Sequence, residues 1–411
     1  MTTPIVTTQP AEPTVPVERA WIVRFGLVWL GVWMSWLVPV QLALPEQLDH
    51  LDHLHRYRDF GIINAVAGVV TLVGLPICGA LCDRTRSRIG RRRIWVIGGV
   101  TAYAAMLVLT GYQSSWPGLA LTWGLAAAAV CAITAGMSAT VADEVPDRQR
   151  GVVSGVMFGP QSVGLVLGLV AVGALSDSGR YWALAAAMVV LALPFALRYR
   201  DLPARAGAPT LAARDLVAGL WVDPRRHPDF GWAFGSRLLV NVGNALGTTY
   251  LYFFLKDDLE VGDPDGALLE LSLVYVLFTL LATVTGSVAS DRTGRRKVFV
   301  AVAAALQGAA AILLALLPSL STAFAGAALL GAGYGAFVAV DQALVTAVLP
   351  NPDDRAKDLG ILNVGSNVPQ ALGPLMAAAI VAWVGFGAMF LAAGAMSLVG
   401  AVMVRRVRAV R

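Results

Sequence analysis

The chain has 411 residues, of which 57% are hydrophobic and 14% are charged, and its mean hydropathy is +0.68. A soluble protein with so little charge could not cover its surface with polar side chains, so the composition excludes that class. The net charge is +5, but the basic residues lie in short loops between apolar segments. That arrangement orients membrane helices and gives no reason to expect a nucleic-acid partner.

Long apolar segments recur along nearly the whole chain, and many approach the roughly 20 residues that a helix needs to cross a bilayer. The twelve predicted spans are residues 21–44, 60–82, 94–113, 117–142, 152–176, 181–198, 230–255, 267–290, 298–317, 322–349, 359–383 and 387–404. We therefore predict an all-α membrane protein with twelve transmembrane helices in two pseudo-symmetric six-helix bundles. The bundles are residues 21–198 and 230–404, joined by a Pro- and Arg-rich cytoplasmic linker at 199–229.

The charge of the loops predicts the orientation of the spans. With the N-terminus inside, the outer loops hold 4 of the 31 Lys and Arg residues, namely Arg56, Arg58, Arg180 and Lys256. This asymmetry places both termini in the cytoplasm and the protein in the plasma (inner) membrane. Residues 1–20 and 405–411 are then cytoplasmic tails. The first tail is rich in Thr and Pro and has no apolar core, so we expect it to be disordered rather than a signal peptide.

Span 1 and the stretch that follows it contain the first candidate residues. Trp33 lies near the middle of the span and Gln41 near its outer end, and both are candidates for a substrate cavity. The stretch LDHLDHLHRYRD at 48–59 holds three of the four histidines. It has no HExxH or other regular ligand spacing, so we interpret it as a polar outer loop and predict no metal site. No cofactor is expected.

Two inner loops have closely similar sequences. GALCDRTRSRIGRRR, from Gly79 to Arg93, follows span 2, and SVASDRTGRRK, from Ser287 to Lys297, follows span 8. Two further related loops, VPDRQRGVVSG and LPNPDDRAKDLG, follow spans 4 and 10. Such an internal repeat implies two duplicated bundles around a central cavity, with a binding site near the middle of the membrane.

The repeated Gly-x3-Asp-Arg-x-Gly-Arg-Arg pattern in a six-plus-six arrangement resembles the major facilitator superfamily of secondary transporters. The longer first copy also resembles the glycoside–pentoside–hexuronide and sucrose-carrier branches. The resemblance implies a latch that closes the cytoplasmic ends of the two halves against each other. The implied latch residues are Gly79, Asp83, Arg84, Gly90, Arg91, Arg150, Asp291, Arg292, Arg295 and Arg355. For Arg86, Arg88 and Arg93 we expect only an effect on topology.

Span 5 contains GVMFGPQSVGLVLG, in which Gly155, Gly159 and Gly164 surround Pro160. The stretch resembles the Gly-Pro antiporter motif of drug exporters in the same superfamily, although it lacks the closing paired glycines. Ordinary close packing of small residues between helices is an equally good interpretation.

Charged residues inside the spans are rarer. Asp341 in span 10 lies nine residues before Pro350, or roughly 13 Å into the membrane at 1.5 Å per residue. Arg237 lies at a comparable depth in span 7. A carboxylate at this depth is expected to face a cavity or a partner. We predict an Arg237–Asp341 pair with a role in proton coupling; a purely structural ion pair is the alternative.

Polar side chains recur at helical spacing in the C-terminal half. Arg237, Asn241, Asn244 and Thr248 share one face of span 7, and Asn363, Asn367 and Gln370 share one face of span 11. Span 10 adds Tyr334 and Gln342. Because lipid cannot satisfy amides, these stripes should face inward, where they either line the substrate cavity or bond neighbouring helices.

These observations predict a secondary active transporter for a small organic solute, working by alternating access as a monomer. Proton-coupled efflux of an amphipathic compound is the favoured function, and uptake of a sugar or glycoside coupled to a cation or a proton is the alternative. A membrane protein that binds or senses without transport is a further alternative. An enzyme is not predicted, because the chain shows no nucleophile, metal or acid–base constellation with suitable spacing.

Overall fold

The computed structural model describes residues 15–87, 90–199, 201, 228–347 and 355–407, and within these ranges it contains helices and no strands. The N-terminal half comprises Arg19–Val38, Pro39–Ala43 and Leu44–Leu51 (span 1), Arg56–Arg84 (span 2), Arg93–Gly111 (span 3), Trp116–Glu144 (span 4), Asp147–Phe158 and Pro160–Val172 (span 5), and Asp177–Arg198 (span 6). The C-terminal half comprises Pro228–Thr249, Leu251–Phe253 and Phe254–Asp258 (span 7), Pro264–Thr293 (span 8), Arg296–Leu316 (span 9), Leu320–Ala347 (span 10), Arg355–Trp383 (span 11) and Phe386–Val404 (span 12).

Ten helices in the described ranges are long and apolar enough to cross a bilayer, and the bent span 7 makes an eleventh. Span 11 contributes a shorter apolar segment, Val368–Trp383. The predicted all-α architecture is therefore confirmed. The predicted tails and linker fall largely outside the described residues, which exclude 1–14, 202–227 and 408–411.

Spans 1 and 7 share an irregularity near their outer ends. Each contains one π-helical turn, Pro39–Ala43 in span 1 and Phe254–Asp258 in span 7. In span 1 the helix then continues through Leu44–Leu51, with Pro45 directly after the π turn. The prediction that span 1 ends at residue 44 and that 48–59 is an outer loop was therefore wrong. Only residues 52–55 link the two helices.

The helices pack in the same order in both halves. Span 1 packs against spans 5 and 6, and span 7 against spans 11 and 12. Gly168 of span 5 and Gly373 of span 11 lie 205 residues apart and occupy equivalent contacts. A Cβ on Gly168 would lie 2.5 Å from Val38, and one on Gly373 would lie 2.7 Å from Ala245. The repeat seen in the sequence is thus a repeat of helix packing.

The two halves meet along two seams, where span 2 packs against span 11 and span 5 against span 8. The span 2–span 11 seam is tight at Gly61, where an added Cβ would lie 2.6 Å from the Cβ of Ala378. The absence of a side chain at Gly61 therefore lets the halves approach each other at this end of the molecule.

Candidate functional site

The centre of the candidate site is an ion pair between spans 7 and 10. Arg237 Nη1 lies 2.8 Å from Asp341 Oδ2, and the two side chains are only 11% and 6% exposed. The pair expected from the depth of the two residues is therefore present. Removing one partner from such a buried pair leaves an uncompensated charge, so the state of Asp341 and the position of Arg237 are linked.

An aromatic pair adjoins the ion pair. The rings of Tyr275 in span 8 and Tyr334 in span 10 are stacked, with centroids 6.3 Å apart. Tyr334 also lies close enough to Arg237 for the two side chains to interact electrostatically. The tyrosines meet because spans 8 and 10 almost touch at Gly331 and Gly335, where an added Cβ would collide with backbone oxygens of span 8.

Tyr275 was missed by the sequence analysis. It belongs to a polar stripe on span 8, Ser272, Tyr275, Thr279 and Thr283, which follows the spacing of one helix face. Thr283 confirms which way this face points, because its hydroxyl lies 3.2 Å from the backbone oxygen of Gly335 in span 10. The same periodicity argument that was applied to span 7 would have found it.

The polar stripe of span 7 is only partly available to a ligand. Asn241 donates its amide to the backbone oxygen of Arg237, and the Thr248 hydroxyl donates to that of Asn244. Asn244 itself is buried, and its Nδ2 has no hydrogen-bond partner among the described residues. The Asn244 side chain is also within hydrogen-bonding reach of Tyr275. A buried amide donor therefore lies beside the aromatic pair, where a small rotation decides whether it bonds Tyr275 or a ligand.

The remaining cavity candidates lie elsewhere. Trp33 is half-buried, and its indole N–H donates to the backbone oxygen of Met157 at 2.9 Å, so it packs against span 5. Gln41 is half-buried in the π turn of span 1, and Gln370 is exposed on span 11. The side chains of Gln342, Asn363 and Asn367 lie outside the described part of the structure.

At the outer end, charged residues join the two halves. In the N-terminal half, Arg56 Nη1 lies 2.6 Å from Asp49 Oδ1, and its Nη2 lies 3.0 Å from Asp257 Oδ1 of the C-terminal half. Lys256 Nζ lies 2.7 Å from Asp49 Oδ2, and the Tyr57 hydroxyl donates to Asp257 Oδ2 at 2.7 Å. We call Asp49, Arg56, Lys256 and Asp257 the outer network.

A second outer bridge connects three more residues. Arg180 of span 6 pairs with Glu46 in its own half, and its Nη2 lies 2.7 Å from Asp265 Oδ2 in the other half. The sequence analysis assigned Arg56, Arg180 and Lys256 no role beyond topology. No local signal indicated these pairs, because Glu46 lies 134 residues from Arg180 and Asp49 lies 207 residues from Lys256.

Aromatic residues close the space beneath these charges. Phe60 packs edge-to-face against Tyr250 and Phe253, with centroids 5.2 and 5.5 Å away. The Tyr250 hydroxyl donates to the backbone oxygen of Tyr57 at 2.8 Å. The outer end of the molecule is therefore sealed by residues of both halves.

At the inner end, two of the residues implied as a latch, Asp83 and Arg91, form a network with Arg92 and Asp143 that lies within the N-terminal half. Arg92 Nη1 lies 2.6 Å from Asp83 Oδ1, and its Nε lies 3.0 Å from Asp143 Oδ2. Arg91 Nη2 lies 2.9 Å from the same Asp143 oxygen. We call Asp83, Arg91, Arg92 and Asp143 the inner network. Its buried member is Arg92, which the sequence analysis did not single out.

Gly90 and Arg93 differ from expectation. Gly90 has a φ of +119°, and an added Cβ would lie 2.6 Å from the Cβ of Asp201. The carboxylate of Asp201 accepts from the backbone N–H of Arg92 and, at 3.2 Å, from that of Arg93. Gly90 thus admits an anion that caps the N-terminus of span 3. The Arg93 Nε also donates to the backbone oxygen of Ala196, so this residue does more than set topology.

Several other residues implied as a latch lie at the surface or next to open space in this conformation. Gly79 has no atom within 4 Å of an added Cβ, and Arg84, Arg150, Arg292 and Arg295 are exposed. The side chains of Asp291 and Arg355 fall outside the described part of the chain.

The small residues of span 5 divide into two groups. An added Cβ on Gly164 would lie 3.1 Å from the backbone nitrogen of Met34, so Gly164 packs against span 1. Gly155 has open space around it, and Gly159 faces its own helix. Pro160 marks the interruption between the two helices of the span.

The chain matches the family model of the Major Facilitator Superfamily over residues 20–288 and 266–411. A search of curated protein sequences gives no significant match. Among solved structures, a mutant of the nucleoside transporter NupG superimposes with a TM-score of 0.73 at 14% identity, covering 94% of this chain and 98% of the other. The human organic anion transporter MFSD10 (TETRAN) superimposes with a TM-score of 0.68 at 18% identity, covering 95% and 100%.

Proposed function

Because the chain belongs to the major facilitator superfamily, we propose that it is a proton-coupled secondary transporter that exports a small amphipathic compound by alternating access. The observation that carries the coupling is the buried Arg237–Asp341 pair. Protonation of Asp341 removes the negative charge that holds Arg237, so the guanidinium can move or meet a ligand. Binding of a proton to Asp341 is thereby linked to a change in the position of Arg237.

The surroundings of the pair favour a particular substrate class. The Tyr275–Tyr334 pair offers an aromatic surface, and the buried Asn244 amide offers one donor. A flat aromatic compound with a hydrogen-bond acceptor fits both features. In contrast, a sugar needs several free polar partners, and the Asn241 amide already donates to its own helix. This supports an amphipathic substrate over a saccharide.

Because its outer end is closed, the structure corresponds to an outward-closed conformation of the proposed transport cycle. The outer network and the Phe60 cluster block access from outside. Alternating access then requires these contacts to break when the site opens outward. Gly164 and Gly168 of span 5 pack against span 1. We expect this contact of the Gly-Pro segment to be kept during that change.

Ligand-dependent thermal stability of the purified protein tests this proposal, with 4-amino-1,8-naphthalimide (a flat, fluorescent aromatic compound with two carbonyl acceptors) and sucrose as probes at acidic and alkaline pH. A ligand raises stability by RT ln(1 + [L]/Kd), so even weak binding registers at high concentration. We expect the naphthalimide to stabilise wild type in a pH-dependent manner and Asp341→Asn independently of pH. Glu270→Gln, an exposed carboxylate on span 8, should behave as wild type.

Transport in inside-out vesicles tests the direction. With an acidic lumen, wild type should accumulate the naphthalimide, and Asp341→Asn should lose the dependence on the pH gradient. Stabilisation by sucrose alone, or a pH dependence kept in Asp341→Asn, would contradict the proposal.

A further inference from the structure

A groove of about 350 Å³ lies on the outer end of the span 2–span 11 seam. Its walls include Leu54, His55 and Arg58 from the N-terminal half and Ala379, Ala382 and Trp383 from the C-terminal half. The volume falls within the roughly 300–1,000 Å³ typical of small-molecule sites. We propose that this groove binds a phospholipid of the outer leaflet, with the phosphate on Arg58 and an acyl chain along span 11.

The span 11 wall is suited to an acyl chain. Ala379 and Ala382 are exposed and small, and Leu375 one turn further in is also exposed. From Trp383 to Leu375 the wall descends roughly 12 Å at 1.5 Å per residue. Trp383 is 89% exposed at the outer end of the helix, as expected for a tryptophan at the membrane–water interface. The wall therefore extends from the interface into the hydrocarbon.

Arg58 is suited to the phosphate. Three of the four outer cations, Arg56, Arg180 and Lys256, bind carboxylates that tie the halves together. Arg58 instead stands in the groove wall with its side chain 54% exposed, and its Nε lies 2.9 Å from Asp59 Oδ1. That contact orients the guanidinium, which is a preferred phosphate ligand because of its planar, forked donors.

The groove exists only where both halves meet. Its walls come from span 2 and the link before it on one side and from span 11 on the other, so an occupant contacts both halves while the outer end is closed. A ligand that prefers one conformation raises its population by the difference in binding free energy. A phospholipid in this groove therefore stabilises the outward-closed conformation. Phospholipid binding to this groove can be measured without a transported substrate.

Native mass spectrometry of the full chain in detergent tests the proposal, with phosphatidylglycerol, the matching diacylglycerol and inorganic phosphate as separate probes. We expect retained phosphatidylglycerol, much less diacylglycerol and no retained phosphate. Arg58→Gln removes the phosphate ligand, and Ala379→Phe fills the apolar part without changing a charge. Each should weaken phosphatidylglycerol binding by at least about tenfold. Leu391→Phe, an exposed site on span 12 outside the groove, should leave it unchanged.

The outcomes separate the alternatives. Equal retention of diacylglycerol, or unchanged phosphatidylglycerol binding by Ala379→Phe, overturns the proposal. Arg58→Gln leaves Asp59 without its arginine, so this variant can fail to fold; the Ala379→Phe and Leu391→Phe pair then decides the question. Retention of free phosphate at Arg58 would show an ion site rather than a lipid site and would also overturn it.

Discussion

The two ends of the molecule use similar chemistry to hold together different parts of the chain. At the outer end, Arg56 joins Asp49 of its own half to Asp257 of the other half. At the inner end, Arg92 joins Asp83 and Asp143, which both belong to the N-terminal half. An arginine held by two carboxylates thus joins the two halves at the outer end. At the inner end, the same arrangement stabilises the N-terminal half alone.

The two networks also differ in burial. The side chains of Arg56, Asp49 and Asp257 are 8%, 8% and 15% exposed. Arg92 is 5% exposed, but Asp83 and Asp143 are 62% and 30% exposed. Carboxylates that keep contact with water tolerate the loss of their partner better than buried ones do. The outer network should therefore be the more sensitive of the two to a lost charge.

Replacement of Arg56 by glutamine should have the largest effect. It removes the cation shared by Asp49 and Asp257 and leaves only Lys256 on Asp49 and the Tyr57 hydroxyl on Asp257. Breaking a buried pair typically costs roughly 3–5 kcal/mol, which these remaining contacts reduce. We expect the outer end to open, because separation of the halves hydrates both carboxylates. Spin labels at Leu51→Cys and Gly262→Cys, placed after replacement of the native cysteines by alanine, would report a longer distance.

The matched control is Asp52→Asn. Asp52 pairs locally with the exposed His55 in the link between spans 1 and 2, and hydrogen bonds from His55 lower the pKa of its carboxyl. This variant should leave the distance unchanged. An unchanged distance in Arg56→Gln would show that the outer network does not hold the halves together.

Replacement of Arg92 by glutamine should have a smaller effect of another kind. Hydrogen bonds to charged groups contribute roughly 1.5–3 kcal/mol each, and exposure of Asp83 and Asp143 reduces the loss. We expect a lower thermal unfolding temperature with the outer label distance unchanged. A longer outer distance in Arg92→Gln would show that the inner network also controls the relation between the halves.

The fold could be predicted from sequence because hydropathy and loop charge report directly on helices that cross a membrane. The Arg237–Asp341 pair could be predicted for a similar reason, since the helical rise converts residue number into depth. Span 1 was predicted too short because its polar last turns, up to Leu51, resemble a loop. Helical geometry there is maintained by packing that hydropathy does not report.

The contacts between the halves could not be predicted in the same way. Arg56 and Asp257 are 201 residues apart, and their meeting depends on how two bundles dock. Likewise, three consecutive arginines, Arg91 to Arg93, lie at the start of span 3, and their order alone does not show that Arg92 rather than Arg91 is buried. The periodicity of span 8 alone would have identified Tyr275 as a candidate. Its pairing with Tyr334 could not be predicted, because it depends on the close approach of spans 8 and 10 at Gly331.

The smallest predicted effect comes from adding one methyl group to the outer seam. In Gly61→Ala the new Cβ would lie 2.6 Å from the Cβ of Ala378 and 3.1 Å from the backbone oxygen of Pro374, so span 2 and span 11 must separate slightly. Overpacking of this kind costs roughly 1–3 kcal/mol. The gain from replacing a helical glycine by alanine, roughly 0.5–1 kcal/mol, offsets part of it.

Gly79→Ala, on the same helix, separates these two contributions. No atom lies within 4 Å of an added Cβ at Gly79, so this variant receives the helix-propensity gain without the collision. We expect Gly79→Ala to be slightly more stable with an unchanged outer distance, and Gly61→Ala to show a longer outer distance. If both variants behaved alike, the close approach at Gly61 would not contribute to closure, and the outer network and the Phe60 cluster alone would hold the halves together.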